Sequence, residues 1–329
     1  MTALVLCGSS AAGAPDERAT NPAWKKLPSM AIPAVFAAAA AGVDGRIYVL
    51  GGQTNYDSST SLTTTRIFDP KKGAWTEGAS MPTARSCPGA ATGPDGRIYV
   101  MGGQIQRQAL DTVEAYDPRK NSWMRCSPMP SPRTDPSIVA AWDGSGQVRI
   151  YSIGGRDFRA PGNGLATVEA YDPVTDTWST KTAMPTLRHA QTEAVSSAGL
   201  IYVIGGAHNL GQPKFLSTVE VYDPARDKWS AVEPLPYRVE CAMAAGAGGE
   251  ILVFGGWKTL EKDESRSVLA FNPRSSAWRH LPDMPTARAA GNAVSLQEAD
   301  GTDHIYLLGG KDSEVSVEEY VIPRAPEKR

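Results

Sequence analysis

The chain has 329 residues with 33 basic against 35 acidic side chains, a formal charge of −2, so no field of one sign points to nucleic acid or an anionic membrane surface. No apolar run reaches the ~20 residues of a membrane-spanning helix. The four cysteines Cys7, Cys87, Cys126 and Cys241 form no Cys-x-x-Cys pair, which argues against a zinc site.

From the N-terminus, residues 1–21 read as a flexible leader or as the remnant of a secretion signal. Ala3-Leu4-Val5-Leu6-Cys7 is apolar and Ala12-Gly13-Ala14 has the small-x-small form of a cleavage site, yet no basic segment precedes them. The signal reading favours a secreted or periplasmic protein, the leader reading a cytoplasmic one. Residues 22–323 are expected to form a single body, and 324–329 a charged tail.

Repetition governs that body. Gly-Gly pairs end at Gly52, Gly103, Gly155, Gly206, Gly256 and Gly310, and tryptophans keep step at Trp24, Trp75, Trp123, Trp178, Trp229 and Trp278. Each unit reads as four short strands, labelled a to d. Strand a is small and apolar, as in Cys87 to Ala91 or Ala190 to Val195. Asp44-Gly45 and Asp95-Gly96 form a turn into strand b (Arg46 to Leu50, Arg97 to Met101), because Gly supplies the positive φ a tight hairpin needs. The Gly-Gly that ends strand b allows close backbone approach. Strand c is Val113-Glu114-Ala115-Tyr116, Val168-Glu169-Ala170-Tyr171 or Val219-Glu220-Val221-Tyr222; Asp-Pro then turns the chain into strand d with its Trp. That indole is expected between adjacent blades. The last unit has a strand c at Val317-Glu318-Glu319-Tyr320 but no Trp after it, whereas Trp24 precedes the first unit without a Gly-Gly of its own. The N-terminal segment should therefore supply strand d of the sixth unit and close a ring.

The Gly-Gly, the Val-Glu-x-Tyr-Asp-Pro segment, the Trp and the Met-Pro-x-x-Arg turn resemble the Kelch family over roughly residues 22 to 323. The resemblance implies an all-β, six-bladed β-propeller with four antiparallel strands per blade. It also implies a binding face built from the d–a and b–c loops. It is nearly silent on chemistry, since propellers host unrelated functions.

Three sets of positions are candidates on that face. The first is the arginine after Met-Pro: Arg85, Arg133, Arg188 and Arg288, with Arg238 shifted by one and Ala34 at that place in the first unit. These would form a basic collar suited to carboxylates, or else a repeat feature that bonds loop carbonyls; recurrence favours the second. The second set is the polar departures from strand a: Asp135, His189, Gln191, Glu193, Glu240 and Asn292. Asp135 with Arg133, and Glu240 with Arg238, have ion pairing as the plain explanation; Glu193 has solvation in the channel. The third is the loop after each Gly-Gly, where contents vary freely: Gln53, Tyr56, Gln104, Gln106, Arg107, Arg156, Asp157, Phe158, Arg159, His208, Trp257, Lys258 and Lys311. Trp257 is expected in an exposed loop, as a contact for a sugar ring or peptide side chain or else flat over a neighbour. The glutamates Glu114, Glu169, Glu220 and Glu318 repeat in register and read as structural.

No Gly-x-Ser-x-Gly elbow, phosphate loop or His-Glu-x-x-His is present, and the four histidines are scattered. Neither cofactor nor metal is expected. Copper-radical oxidases on Kelch propellers need a Tyr–Cys crosslink with histidine ligands, which the chain hardly supports. Sialic-acid epimerases on this fold require only Glu and Arg, which Glu193 or Glu240 with Arg188 or Arg238 could imitate. The favoured expectation is a non-catalytic recognition module for a protein segment or glycan. The alternative is a sugar-active enzyme, epimerase- or mutarotase-like, with a Glu/Arg pair at the channel mouth.

Overall fold

A computed structural model describes residues 24–322 apart from 34, 59, 161–163, 191, 198, 209–213, 259–262 and 312–314, with the backbone alone for 192–197. The described chain contains strands and turns and no helix long and apolar enough to cross a membrane. Six four-stranded antiparallel sheets form the blades. Each inner strand lies against the inner strands of its two neighbours, and the sixth lies against the first, so the blades close a ring. Blade three is typical: a, Ser137–Trp142; b, Val148–Ile153; c, Val168–Asp172; d, Thr177–Lys181.

Blade six is completed as the tryptophan count requires. Its strands Asn292–Gln297, Asp303–Leu308 and Val317–Ile322 are joined by Lys25–Leu27 from the other end of the chain. Lys25 stands opposite Glu319 and Leu27 opposite Val317. Trp24 then packs on Tyr320, ring centroids 4.6 Å apart. The other blades make the same pair from strands c and d, as in Tyr116–Trp123 at 5.2 Å and Tyr171–Trp178 at 5.1 Å. Such aromatic pairs contribute roughly 0.5–1.5 kcal/mol each beyond the area they bury.

The core is divided among the seams between blades. Six apolar clusters each draw on two consecutive blades; one joins Ala91, Tyr99 and Val113 of blade two to Ile150 and Tyr171 of blade three. Strands b and c are consequently buried on both faces, without the half-exposed alternation of an open sheet. The outer seam is fastened by indole N–H groups. Trp123 Nε1 donates to Ala79 O at 2.8 Å and Trp178 Nε1 to Ser127 O at 3.0 Å, each crossing to the preceding blade.

The double glycine is explained by what lies against it. Gly102 and Gly103 have φ of 64° and 97°, and a Cβ on Gly102 would sit 2.5 Å from Arg133 O. Gly103 N donates to that same carbonyl at 2.9 Å. No L side chain fits a backbone held so near to the next blade's approach loop.

Candidate functional site

The d–a and b–c loops meet on one face through short backbone bridges. Thr134 and Arg156 exchange hydrogen bonds at 2.9 and 2.7 Å, as do His189 with Ala207 and Glu240 with Trp257. The next residue along each d–a loop is left-handed in every blade: Phe36, Cys87, Asp135, Ala190, Cys241 and Ala290 have φ between 45° and 56°. A non-glycine residue there is strained by about 1 kcal/mol or more and persists only where its surroundings hold it. Here the surroundings are the neighbouring blades. Cys87 N donates to Phe36 O at 2.8 Å, Asp135 N to Cys87 O at 3.0 Å, Cys241 N to Ala190 O at 3.0 Å and Ala290 N to Cys241 O at 2.9 Å. These bonds stitch a rim around the channel mouth. The inner strands start after it, at Gly89 in blade two and Thr192 in blade four, so Cys87 and Ala190 belong to the rim and not to strand a.

Above the rim lies a cavity of about 380 Å³. Its lining includes the rim residues Phe36, Cys87, Asp135 and Cys241, the loop residues Gln53, Tyr56, Gln104, Gln106, Arg107, Arg156 and Trp257, and Glu240. A smaller space of about 90 Å³ continues inside the rim past Pro88, Pro136 and Asn292.

The charged groups form one cluster across blades three to five. Arg156 Nη2 lies 2.8 Å from His189 Nδ1, and His189 Nδ1 lies 4.0 Å from Glu240 Oε1. Burial between blades raises the Asp135 carboxyl above its ordinary value, and the Arg156 guanidinium opposes that rise. Burial likewise pushes the Cys87 thiol well up, reinforced by Asp135. A protonated thiol is a weak nucleophile, and Cys87 stands in the cavity lining beside Asp135.

Of the residues singled out from sequence, Asp135, Arg156, Glu240 and Trp257 line this cavity together with the loop residues Gln53, Tyr56, Gln104, Gln106 and Arg107, and His189 bonds to its wall. Asp135 has Arg156 and not Arg133 as its cationic neighbour. Trp257 is 2 % exposed, against the expectation of an exposed loop aromatic. It packs with Ala207, Phe215 and Ala289, and Tyr56 reaches it from blade one at 6.0 Å, edge to face. His208 sits on a loop hairpin opposite Lys214 and is not among the lining residues. Asn292 is buried and donates to Ala37 O at 3.0 Å. Gln191 and the side chain of Glu193 lie outside the described residues.

The arginines do not form a collar at the mouth. Arg85, Arg133, Arg188 and Arg288 are 0 % exposed, each paired with the strand-c glutamate of the blade it leads into. Arg133 is representative: Nη1 donates to Gly154 O at 3.0 Å and Thr167 O at 3.2 Å, and Nη2 to Glu169 at 2.7 Å. Ser131 Oγ adds a bond to the other oxygen of Glu169 at 2.7 Å. The guanidinium thus occupies carbonyls that the Gly-Gly turn leaves open, and the loop-bonding alternative holds. At blade five Val239 takes the place of the arginine and packs in one apolar cluster with Leu269, which replaces the glutamate; Arg238 points out to solvent.

The rim cysteines Cys87 and Cys241 were not singled out as site residues. Their one signal is positional, two residues beyond the place of the buried arginine in their own repeats.

Comparison with known proteins agrees with this architecture. The model of the KLHDC2/KLHL20/DRC7 Kelch-repeats domain matches residues 37–241, and the Kelch motif matches residues 241–285. Kelch-like protein 35 of Mus musculus is 33% identical over 173 residues, 50% of this chain and 26% of that protein. Kelch-like protein terF of Aspergillus terreus is 31% identical over 156 residues, 44% of this chain and 32% of that protein. The chain thus corresponds to about a quarter to a third of the length of these relatives. A solved structure described as that of YjhT superposes with a TM-score of 0.72 over 90% of this chain and 96% of that one, at 18% identity, a likeness of fold alone. With a Kelch-repeat model spanning more than half of its length and the repeat residues in their structural places, this chain belongs to the Kelch-repeat family.

Proposed function

We propose that this propeller is a recognition module that receives a protein segment at the channel mouth, on the face built by the d–a and b–c loops. One observation carries the reading: the cavity of about 380 Å³ is lined by side chains that differ from blade to blade, on a rim whose backbone is the same in each. Gln53, Gln104 and Gln106 each offer an amide that both donates and accepts, the capacity a peptide backbone requires. Tyr56, Phe36 and Trp257 give an apolar wall, and Arg156 with Asp135 gives adjacent opposite charges. Kelch-like relatives support a protein partner.

A sugar-active reading rests on Glu240 and Arg156, which both line the cavity. The pairs weighed from sequence relied on Arg188 or Arg238, of which the first is buried and the second points away.

Peptide and glycan arrays probed with wild type, Arg156→Ala and Gln104→Ala test the proposal. A peptide ligand should bind about tenfold more weakly to Arg156→Ala, the effect of losing one important contact. Unchanged binding by both variants would remove the mouth from consideration. Anomer or epimer exchange of a sugar acid, followed by NMR and abolished by Glu240→Gln, would replace the binding reading with the enzymatic one.

A further inference from the structure

The approach to blade one departs from the buried network of the other blades. In blades two, three, four and six an Arg and a Glu pair internally, and a Thr or Ser hydroxyl completes the set, as Thr83, Arg85 and Glu114 do. In blade one the same three places hold Ile32, Ala34 and Arg66. The hydroxyl has become an alkyl group, the cation a methyl group, and the anion a cation.

Arg66 is only 4 % exposed. Nη2 donates to Pro33 O at 3.0 Å. Nε and Nη1 are covered from solvent, yet neither has a hydrogen-bond partner among the described residues. Glu77, opposite Arg66 on strand d, is exposed and acts on it only through space. Burial lowers the guanidinium to about 10, against the pull of Glu77, and leaves it charged at neutral pH. The group borders a pocket of about 300 Å³ together with Ala31, Ile32, Trp75, Thr76 and Glu77.

A buried guanidinium with two unused N–H edges and no close counter-charge is an incomplete site. We propose that this pocket is an anion subsite that takes a carboxylate onto Arg66, with the adjoining carbon chain against Trp75 and Ile32. A single guanidinium matches the two oxygens of one carboxylate, and Glu77 disfavours a dianion such as phosphate. Ala31 and Ile32 line the pocket from the d–a connection and not from a strand, and the proposal requires that connection to shift far enough to open Nε and Nη1 to the carboxylate. The site lies on the outer side of blade one and does not depend on the reading of the mouth.

Thermal melts of the whole protein at constant ionic strength test this, with phenylacetate, its neutral isostere phenylacetamide, and one short peptide in free-acid and amidated forms. Melting temperature should rise saturably with a carboxylate probe and stay flat with its neutral counterpart, and the Trp75 indole NMR resonance should move in step. Arg66→Met should abolish the response, and Glu77→Gln should tighten it about threefold by removing a nearby like charge. A response to phenylacetate alone assigns a free small acid; a response to the free-acid peptide assigns a chain terminus. Equal responses to acid and amide, no saturable response to either acid, or a full response in Arg66→Met would overturn the proposal. The comparison of acid with amide uses wild-type protein, so it decides the matter even if Arg66→Met fails to fold.

Discussion

Blades two to four hold together differently from the arc formed by blades five, six and one. In the first arc each outer seam is a clamp with two arms on one residue. Ala79 is held through its N–H by Asn121 and through its carbonyl by Trp123; Asp176 and Trp178 hold Ser127 so, and Asp227 and Trp229 hold Thr182. In blades five and one, among the described residues, the indole arm alone is found, from Trp278 to Glu233 and from Trp75 to Pro28, because Ser276 and Gly73 stand where the others have Asn or Asp. In blade six the Trp24 nitrogen has no hydrogen-bond partner among the described residues. The buried Arg–Glu pair is also replaced at blades five and one. The second arc contains the chain closure, the aromatic wall of the mouth and Arg66. Local opening should therefore begin there, while the cavity at the mouth draws its lining from both arcs.

The largest expected effect tests whether the buried pair is needed or merely replaceable. Glu169→Ala leaves Arg133 buried without its partner and should cost about 3–5 kcal/mol in urea denaturation. The double substitution Arg188→Val with Glu220→Leu copies blade five and should cost no more than about 1 kcal/mol. A double variant as damaged as the single one would show that blade five is a special case. Next in size, Trp24→Ala should lower stability by about 2 kcal/mol, below the usual range for a large aromatic because the ring is only partly buried. Hydrogen exchange should quicken in Val317–Ile322 and stay unchanged in Val168–Asp172; uniform quickening would deny a weaker arc.

A smaller gain should follow from adding the missing arm. Ser276→Asp should raise stability by about 0.5–1 kcal/mol, since residue 276 already has the left-handed φ of 51° that Asp227 adopts at 50°. The smallest effect is the response of the clamps to acid. Burial raises the Asp176 and Asp227 carboxyls, but the Tyr171 and Tyr222 hydroxyls and the Ser127 and Thr182 amides outweigh it and hold both below the ordinary value. A depressed carboxyl adds stability above its unfolded pKa of about 4 and loses it as pH falls through the folded value. The Ser127 and Thr182 amides should lose protection from exchange below about pH 4, while the Trp178 and Trp229 indole N–H groups, which donate to the carbonyls of the same two residues, do not follow.

The ring was legible because its signals are local and periodic. Gly-Gly is demanded by positive φ beside a carbonyl, and Trp by one seam position, so simple spacing revealed six blades and the role of Trp24. The site was legible in part. Asp135, Arg156 and Glu240 stood out as departures from the repeat, and departures are what the cavity displays. The partners of a side chain were not legible. Recurrence already favoured a carbonyl-bonding role for Arg133 over a place at the mouth, but its partners Gly154 O, Thr167 O and Glu169 appear only in the three-dimensional course of the next blade. Whether Trp257 would stand exposed or pack over a neighbour stayed open, because the residues it packs with, Ala207, Phe215, Ala289 and Tyr56, are distant in sequence. The rim escaped notice because Phe, Cys, Asp and Ala share no chemistry; only their φ unites them.

The rim has a consequence for how this molecule could change over generations. Phe36, Cys87, Asp135, Ala190, Cys241 and Ala290 occupy equivalent sockets, and the rim bonds run through backbone atoms alone. A new side chain in one socket alters what the mouth displays and leaves those bonds intact. Asn, Asp and Gly suit the left-handed conformation best and branched residues least, which sets the vocabulary. The mouth is in effect a six-letter combination lock whose letters can be exchanged singly, so new specificity could evolve without a new scaffold.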